Sequence, residues 1–432
     1  MSQNTLHVAA LIFLIAVLHT FSVGAIKKLG HRFPEHEGAF HLLSEVEAVF
    51  GIWSIVLFGW LLAAEGLGKT LSYADSRNYT EPLFVFVIMV IAASRPIMLT
   101  AKALVEWTTR LIPANPVLSR FFVIISCVPL MGSLITEPAA MTLAALMLLN
   151  FFGARASNHF KYATLGVLFV NVSIGGTLTN FAAPPVLMVA SKWEWSSAYM
   201  LNHFGWKAFI AIAINSLALT LIFRKQLASL HSHDIKHHKN SDSDAHIKEE
   251  AVPWTFTLIH LLCVGGVVMF AHHASIFMGI FLLFLGISIA YPQYQDRLII
   301  REGLMVSFFL AGLVFLGGLQ AWWLQPLLSK MSPESVYFGA TALTAVTDNA
   351  ALTYLGSLVE GLSEEFKYML VAGAVTGGGL TIIANAPNPA GAAVLKVRFE
   401  DENLNPGPLF LAALGPTIIT ILCFLWLPKT LW

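Results

Sequence analysis

Runs of apolar residues follow one another along almost the whole chain, separated by short polar stretches. A helix that spans a bilayer needs about 20 predominantly apolar residues, and most of these runs reach that length. In the first half the predicted segments are 7–26, 46–64, 82–109, 118–152, 161–191 and 204–223. In the second half they are 252–271, 275–292, 302–328, 333–361, 366–397 and 407–428.

Two of the segments are interrupted near the middle by polar residues. Segment 118–152 contains Thr136-Glu137-Pro138, and segment 333–361 contains Thr347-Asp348-Asn349. A straight helix would put an acid at the centre of the bilayer in both cases. In a re-entrant hairpin the polar residues form the tip, where non-helical backbone is tolerated if it lines a protein cavity. We favour the hairpin interpretation for both segments.

The segment after each hairpin is also interrupted, and the two interruptions repeat each other. The first runs from Gly175 to Pro185 and the second from Gly377 to Pro387. Six positions correspond at one constant spacing: Gly175, Gly176, Leu178, Thr179, Ala182 and Pro185 match Gly377, Gly378, Leu380, Thr381, Ala384 and Pro387. The chain therefore carries a duplicated site, with an acid followed by a Gly/Thr/Asn/Pro break in each half.

These patterns predict an all-α polytopic membrane protein built from two inverted repeats. Each repeat has five transmembrane helices and one re-entrant hairpin, with a broken helix after the hairpin, and an odd number of spans inverts the second copy. The repeats cover 1–224 (hairpin about 118–152) and 253–432 (hairpin about 333–361). A polar, His-rich cytoplasmic linker, 225–252, joins them. In transporters of this kind the binding site lies at the repeat interface near the midplane.

The composition agrees with a membrane protein, because 56% of the residues are hydrophobic and 12% are charged, against about 25% charged in soluble domains. With both termini outside the cell, basic residues concentrate in the cytoplasmic segments, as the positive-inside rule requires. Lys27 and Lys28 follow the first apolar run and no Lys or Arg precedes it, so we interpret it as a retained helix rather than a signal peptide. The three cysteines lack metal or redox spacing, and no nucleic-acid signature is present.

Glu137 and Asp348 are the main candidates for chemistry. A charged side chain at mid-membrane costs on the order of 3 kcal/mol and is usually functional. A carboxyl group removed from water can exchange a proton for a cation near neutral pH. The alternative is helix capping, for which Asp348 is a suitable N-cap, whereas Glu137 is a poor one and Pro138 fits a first helical turn. The two roles can coexist.

Polar side chains in the two breaks are candidate cation ligands: Thr179 and Asn180 in the first, and Thr381, Asn385 and Asn388 in the second. Glycine and proline interrupt the helices there and expose carbonyl oxygens, and hard cations take oxygen ligands. A Na⁺ ion is expected at Glu137, Asn180, Asp348, Asn349 and Asn385. Glycine and proline are also common in ordinary transmembrane helices, but two breaks at matched positions favour a site.

Arg95 is the only basic residue predicted to lie deep in a span. It could neutralise one of the acids or bind an anionic substrate, or it could extend to the membrane surface beside the helix break at Pro96. Five histidines crowd the linker: His231, His233, His237, His238 and His246. They could bind a metal or sense pH, and a solvated linker accounts for them equally.

At these motifs the chain resembles the ion-transporter superfamily, which includes D-type Na⁺/H⁺ antiporters, dicarboxylate/Na⁺ symporters and the arsenite-efflux permease. Within it, the chain is most similar to a bacterial family described as putative Na⁺/H⁺ antiporters. The resemblance implies a multi-pass protein of the bacterial inner membrane, often dimeric, whose hairpin tips and broken helices enclose the ions. It therefore implies ion-binding roles for Thr136, Glu137 and Thr177 to Asn180, and for Thr347 to Asn349, Thr381, Asn385 and Asn388.

The tips depart from those of the dicarboxylate symporters, which carry Ser-Asn-Thr at both positions. Here the tips are Thr-Glu-Pro and Thr-Asp-Asn, and two acids would repel an anionic substrate. We therefore expect Na⁺(or Li⁺)/H⁺ antiport without a cofactor, with the tip carboxylates binding cation and proton in competition. The alternative is cation-coupled transport of a small organic acid or oxyanion held by Arg95. An enzyme is not expected, because no span shows a nucleophile with its base.

Overall fold

The structure, a computed structural model of the chain, describes residues 1–30, 32–153, 156–229 and 251–431. All regular secondary structure in these residues is helical. Most of the predicted linker 225–252, including its five histidines, lies outside the described residues.

Helices occupy both halves of the chain from end to end. In the first half they are α1 (Gln3–Gly30), α2 (Glu37–Leu43), α3 (Val46–Glu65), α4 (Leu67–Asp75), α5 (Thr80–Ala92), α6 (Arg95–Leu111), α7 (Pro116–Ile135), α8 (Glu137–Leu148), α9 (Asn158–Gly175), α10 (Pro184–Ala190), α11 (Ser197–Met200) and α12 (Trp206–Ile222). In the second half they are α13 (Trp254–Met269), α14 (Ala274–Ala290), α15 (Ile300–Gly317), α16 (Ala321–Leu328), α17 (Pro333–Thr344), α18 (Asn349–Ser357), α19 (Glu364–Gly377), α20 (Asn388–Leu395) and α21 (Pro406–Trp426). Single 3₁₀ or π turns lie at Pro34–His36, Leu149–Phe151, Gly176–Leu178, Leu201–Gly205, Pro292–Tyr294, Lys396–Arg398 and Glu400–Glu402.

Six helices in the described part of the chain are long and apolar enough to cross a membrane: α1, α3, α7, α11 with α12 as one continuous helix, α15 and α21. The predicted span 82–109 is a seventh candidate, but it is bent by 67° between α5 and α6. The bend has a local cause, since α6 begins at Arg95 and Pro96 occupies its first turn. A multi-pass membrane protein follows from these helices, while the number of spans in each half stays a prediction.

The helices form two packed layers. The first layer consists of α1, α3, α5, α13, α14 and α15, whose apolar side chains share one large cluster. The second layer consists of α6 to α12, α17 and α19 to α21, whose buried side chains form two further clusters, and of α18, which packs on α10 and α19. Residues of α10 and α18 pack against the first layer, for example Leu187 and Tyr354. The two interrupted regions therefore lie where the layers meet.

The chain folds back on itself at Thr136. A Cβ atom on Gly132, four residues before Thr136, would lie 3.4 Å from the Cβ atom of Ala140, four residues after it. Eight residues of continuous helix would separate these positions by about 12 Å. Helices α7 and α8 thus form a helical hairpin.

The two halves interlock at their breaks. Helix α8, which follows the first tip, packs against α20, which follows the second break. Reciprocally, α18, which follows the second tip, packs against α10, which follows the first break. Each tip is thereby held against the broken segment of the other half as well as its own.

Candidate ion-binding site

The first tip has a strained backbone at Thr136. This residue ends α7 and precedes α8 with φ 72° and ψ 152°. Such a conformation is nearly restricted to glycine, and it costs on the order of 1–3 kcal/mol for a residue with a side chain. Thr136 is 2% exposed, and its Oγ1 atom has no hydrogen-bond partner among the described residues. The strain positions Glu137 as the first residue of α8.

Glu137 is fully buried between the two halves of the chain. Its Oε2 atom accepts a hydrogen bond of 2.9 Å from Asn385 Nδ2, which belongs to the second break. Its Oε1 atom has no partner among the described residues. A Cβ atom on Gly176 would lie 2.5 Å from Oε1, so the carboxylate occupies the space that the glycine leaves open.

The second tip has a different arrangement around its acid. Asp348 is the N-cap of α18, and its Oδ1 atom accepts hydrogen bonds from the backbone N–H groups of Ala350 (2.8 Å) and Ala351 (3.3 Å). The capping interpretation of Asp348 is therefore confirmed. Asn349, the next residue, is fully buried, and neither Nδ2 nor Oδ1 of its amide has a partner among the described residues.

The contacts of each break with its own hairpin fix which tip positions are equivalent. Thr179 Oγ1 donates to the carbonyl of Ser133, and Thr381 Oγ1 donates to the carbonyl of Ala345, each at 2.8 Å. A Cβ atom on Gly175 would collide with the Pro129 carbonyl, and one on Gly377 with the Thr341 carbonyl.

The same register holds at the tips themselves. Gly176 lies against Glu137, and its counterpart Gly378 lies against Asn349. Glu137 therefore corresponds to Asn349, and Thr136 corresponds to Asp348. The two acids that the sequence offers as a pair are one position apart in the repeat.

Buried oxygen atoms without hydrogen-bond partners gather around the tips and the second break. Among the described residues they are Thr136 Oγ1, Glu137 Oε1, Thr344 Oγ1, Asn349 Oδ1, Asn385 Oδ1 and Asn388 Oδ1. Their residues are linked: Asn385 bonds Glu137, the Asn349 N–H donates to the Ala384 carbonyl, and Asn388 Nδ2 donates to the Gly378 carbonyl. Each buried polar atom left unpaired costs about 1–3 kcal/mol, and a cation with oxygen ligands would satisfy several together.

Two cavities lie at the junction of the layers, one at each break. The first, of about 270 Å³, contains Glu81, Asn180 and His272. The second, of about 30 Å³, contains Glu47, Asp348 and Asn385. Phe181 and Leu187 line the first cavity at the positions that Ile383 and Pro389 occupy in the second. The two cavities are thus equivalent in the repeat, and each has an acid from the first layer.

The remaining predicted ligands fall into two groups, those whose side chains bond within their own helical turn and Asn180, which faces a cavity. Thr177 Oγ1 donates to Ile174 O, and Thr347 Oγ1 donates to Leu343 O, within their own helical turns. Asn180 faces the larger cavity, where its Nδ2 donates to Trp195 O and its Oδ1 accepts from Ser197 Oγ. The structure therefore brings Glu137, Asn385, Asn388 and Asn349 together and positions Asn180 elsewhere.

Arg95 is the first residue of α6, at the bend after α5. Its Nη1 atom donates to the carbonyl of Gln293 at 3.4 Å. This contact is with the turn that follows α14, outside the group of oxygens around Glu137.

Two residues that the sequence analysis did not single out also contact the site. Ser133 Oγ donates to the Gly175 carbonyl at 2.7 Å and accepts from the Leu178 N–H at 3.0 Å, which ties the first hairpin to its break. Glu47, in the first turn of α3, borders the cavity of Asp348. An acid at the edge of an apolar segment was visible in the sequence, but only packing shows that it faces the second tip.

Comparison with protein-family models identifies a family for the chain. The model of a family described as "Putative Na⁺/H⁺ antiporter" matches residues 5–427, which is nearly the whole chain. No curated protein matches the chain significantly. The chain belongs to this family, whose description is that of a transporter rather than an enzyme.

Proposed function

We propose that this member of the "Putative Na⁺/H⁺ antiporter" family is a secondary active transporter that exchanges Na⁺ or Li⁺ for H⁺. The observation that carries the proposal is the group of buried, unpartnered oxygens around Glu137 and the second break. Hard monovalent cations prefer carboxylate, amide and hydroxyl oxygens, and these are the atoms that the group offers.

Glu137 is the residue at which cation and proton compete. Its carboxylate is fully buried, with one oxygen oriented by Asn385 and the other unpartnered. An isolated charge in such surroundings is costly, so it is neutralised by a proton or by a bound cation. Asn388 and Asn349 supply further oxygens. Asp348 contributes the second carboxylate, beside the cap of α18.

The architecture proposed with this function is a pair of inverted repeats with re-entrant hairpins. The reciprocal packing of α8 on α20 and of α18 on α10 supports it. The second layer, which carries both tips, would move against the first layer to expose the site to either side. The distribution of basic residues favours a bacterial inner-membrane protein with both termini on the side away from the cytoplasm. A homodimer is expected from the family resemblance.

The test is cation-driven proton movement in liposomes. The purified protein is reconstituted with a pH-sensitive dye inside and an imposed pH gradient, and Na⁺, Li⁺ and K⁺ are added one at a time. We expect Na⁺ or Li⁺ to dissipate the gradient with the wild type and not with Glu137→Gln or Asp348→Asn.

Both variants must elute as folded protein for the comparison to count. Full activity of Glu137→Gln would contradict the proposed role of that carboxylate. Proton movement with none of the three cations would contradict antiport itself, and labelled organic acids would be the next substrates to examine.

A further inference from the structure

The small cavity at the second tip is bordered by two acids from different layers. Glu47 comes from the first turn of α3 in the first layer, and Asp348 comes from the tip in the second layer. Among the described residues neither carboxylate has an ion pair with Lys, Arg or His. Two carboxylates that border one cavity, each partly buried, repel each other more strongly than two carboxylates in open water. A positive charge between them would remove that repulsion.

A third polar side chain reaches the same cavity independently of the acids. Asn385 is fully buried and lines the cavity together with Ile383 and Ala386. Its Nδ2 atom is held by Glu137, which leaves its Oδ1 atom without a partner in the described part of the chain. A residue that lines the cavity thus carries an unpartnered amide oxygen, which is a candidate neutral ligand in addition to the two carboxylates.

The size of the cavity restricts what it can hold. Its volume is about 30 Å³, whereas one water molecule needs on the order of 10–15 Å³ of such space. Sites for organic ligands occupy roughly 300–1,000 Å³. A single small ion fits these limits and an organic acid does not.

We propose that Glu47, Asp348 and Asn385 form a second binding site for a small monovalent cation, with ligands from both layers. The site extends the proposed cation transport and rests on it. Asn385 connects it to Glu137, so that one amide contacts both sites. A cation held here bridges α3 and the second tip, and its release removes one attraction between the layers.

The first layer also supplies a matched control. Glu45 precedes Glu47 by two residues and is the N-cap of α3, but its carboxylate is paired with Arg301 of α15 at 2.5 Å. Glu45 does not border the cavity. Both acids lie at the positive end of the α3 dipole, so a general effect of charge at this helix end would appear in either substitution.

The experiment isolates the second site by removing the first. Thermal unfolding of detergent-purified Glu137→Gln protein is followed in NaCl, with choline chloride at equal ionic strength as the reference. We expect Na⁺ to raise the unfolding midpoint of this variant through the second site. Adding Glu47→Gln should raise the Na⁺ concentration for half-maximal stabilisation about tenfold or more, because affinity depends on charged oxygen ligands. Adding Glu45→Gln should leave it unchanged.

Two outcomes would overturn the inference. One is a Glu137→Gln protein that Na⁺ does not stabilise, and the other is an equal Na⁺ response with and without Glu47→Gln. Should the Glu47→Gln protein not fold, Glu47→Asp keeps the charge but shortens the side chain, and an unchanged Na⁺ response would be equally decisive. The liposome assay on the wild type tests antiport separately, because cation binding at Glu47 can hold even where no proton moves.

Discussion

The two hairpin tips share one backbone plan but use it in opposite ways. At the second tip, Asp348 caps α18 with a relaxed backbone, and a neutral amide, Asn349, follows. At the first tip, the equivalent position is Thr136, which is strained and caps nothing, and the acid Glu137 follows. A shift of the acid by one position in the tip changes the contacts that its carboxylate makes. Asp348 caps its own helix and borders a cavity with Glu47, whereas Glu137 caps nothing and accepts a hydrogen bond from Asn385 of the other half.

The two breaks differ in the same manner. Thr179 and Thr381 make identical hydrogen bonds to their hairpins, so the scaffold is duplicated. The buried amides Asn385 and Asn388 belong to the second break alone, since the first has Ala183 and Val186 at the equivalent positions. The repeat thus duplicates the helix packing, while the buried amides that lack a duplicate lie where the first tip meets the second break.

Making the first tip a copy of the second should have the largest effect. The double variant Thr136→Asp, Glu137→Asn reproduces the Asp-Asn order of the second tip and removes the carboxylate that Asn385 contacts. We expect folded protein that has lost cation/proton exchange, measured by the liposome assay and by elution as a single species. Exchange at the wild-type rate would show that the position of the acid in the tip does not matter.

Alanine substitution at the two equivalent glycines should have the next largest effect and should distinguish the functions of the two tips. Gly176→Ala would press against the Glu137 carboxylate, and Gly378→Ala against Ser173 and Asn349. Overpacking costs about 1–3 kcal/mol, so both should lower the unfolding midpoint, and Gly176→Ala should also reduce exchange more strongly. Gly415→Ala is the control, because a Cβ atom there meets nothing within 4 Å. Equal loss of exchange in the first two variants would contradict the functional difference between the tips.

Asp348 should show that capping and transport are separable. Asparagine is as good an N-cap as aspartate, whereas alanine lacks the acceptor and costs about 0.5–2 kcal/mol. We therefore expect Asp348→Asn to unfold at the wild-type temperature and Asp348→Ala to unfold below it, while both lose exchange. Normal transport by Asp348→Asn would show that the carboxylate serves only as a helix cap and has no role in exchange.

Thr136→Gly should produce the smallest change and should be stabilising. Glycine adopts the φ of 72° without strain, and relief of the strain is offset in part by the added freedom of glycine in the unfolded chain. The net gain is about 1 kcal/mol, seen as a higher unfolding midpoint in detergent. A lower midpoint would mean that the buried threonine side chain stabilises the tip by more than its backbone costs.

Much of the architecture was predictable from the sequence because it depends on local patterns. Apolar runs of spanning length predict helices, and Pro138, Pro96 and the two Gly/Thr/Pro breaks interrupt them where the structure has helix ends. The constant spacing of the breaks predicts equivalent contacts, since similar residues on similar backbones make similar bonds. The capping role of Asp348 also follows from residue type and position alone.

The site itself was decided by tertiary structure. Glu137 and Asn385 are 248 residues apart in the chain, and no local period encodes their hydrogen bond. The register of the tips depends on how each hairpin packs against its break, which the spacing of the acids did not reveal. Likewise, Asn180 faces Trp195 and Glu47 faces the Asp348 cavity because the layers meet there. Local residue patterns determine which helices break and where, and the packing of the layers determines which broken ends contact each other.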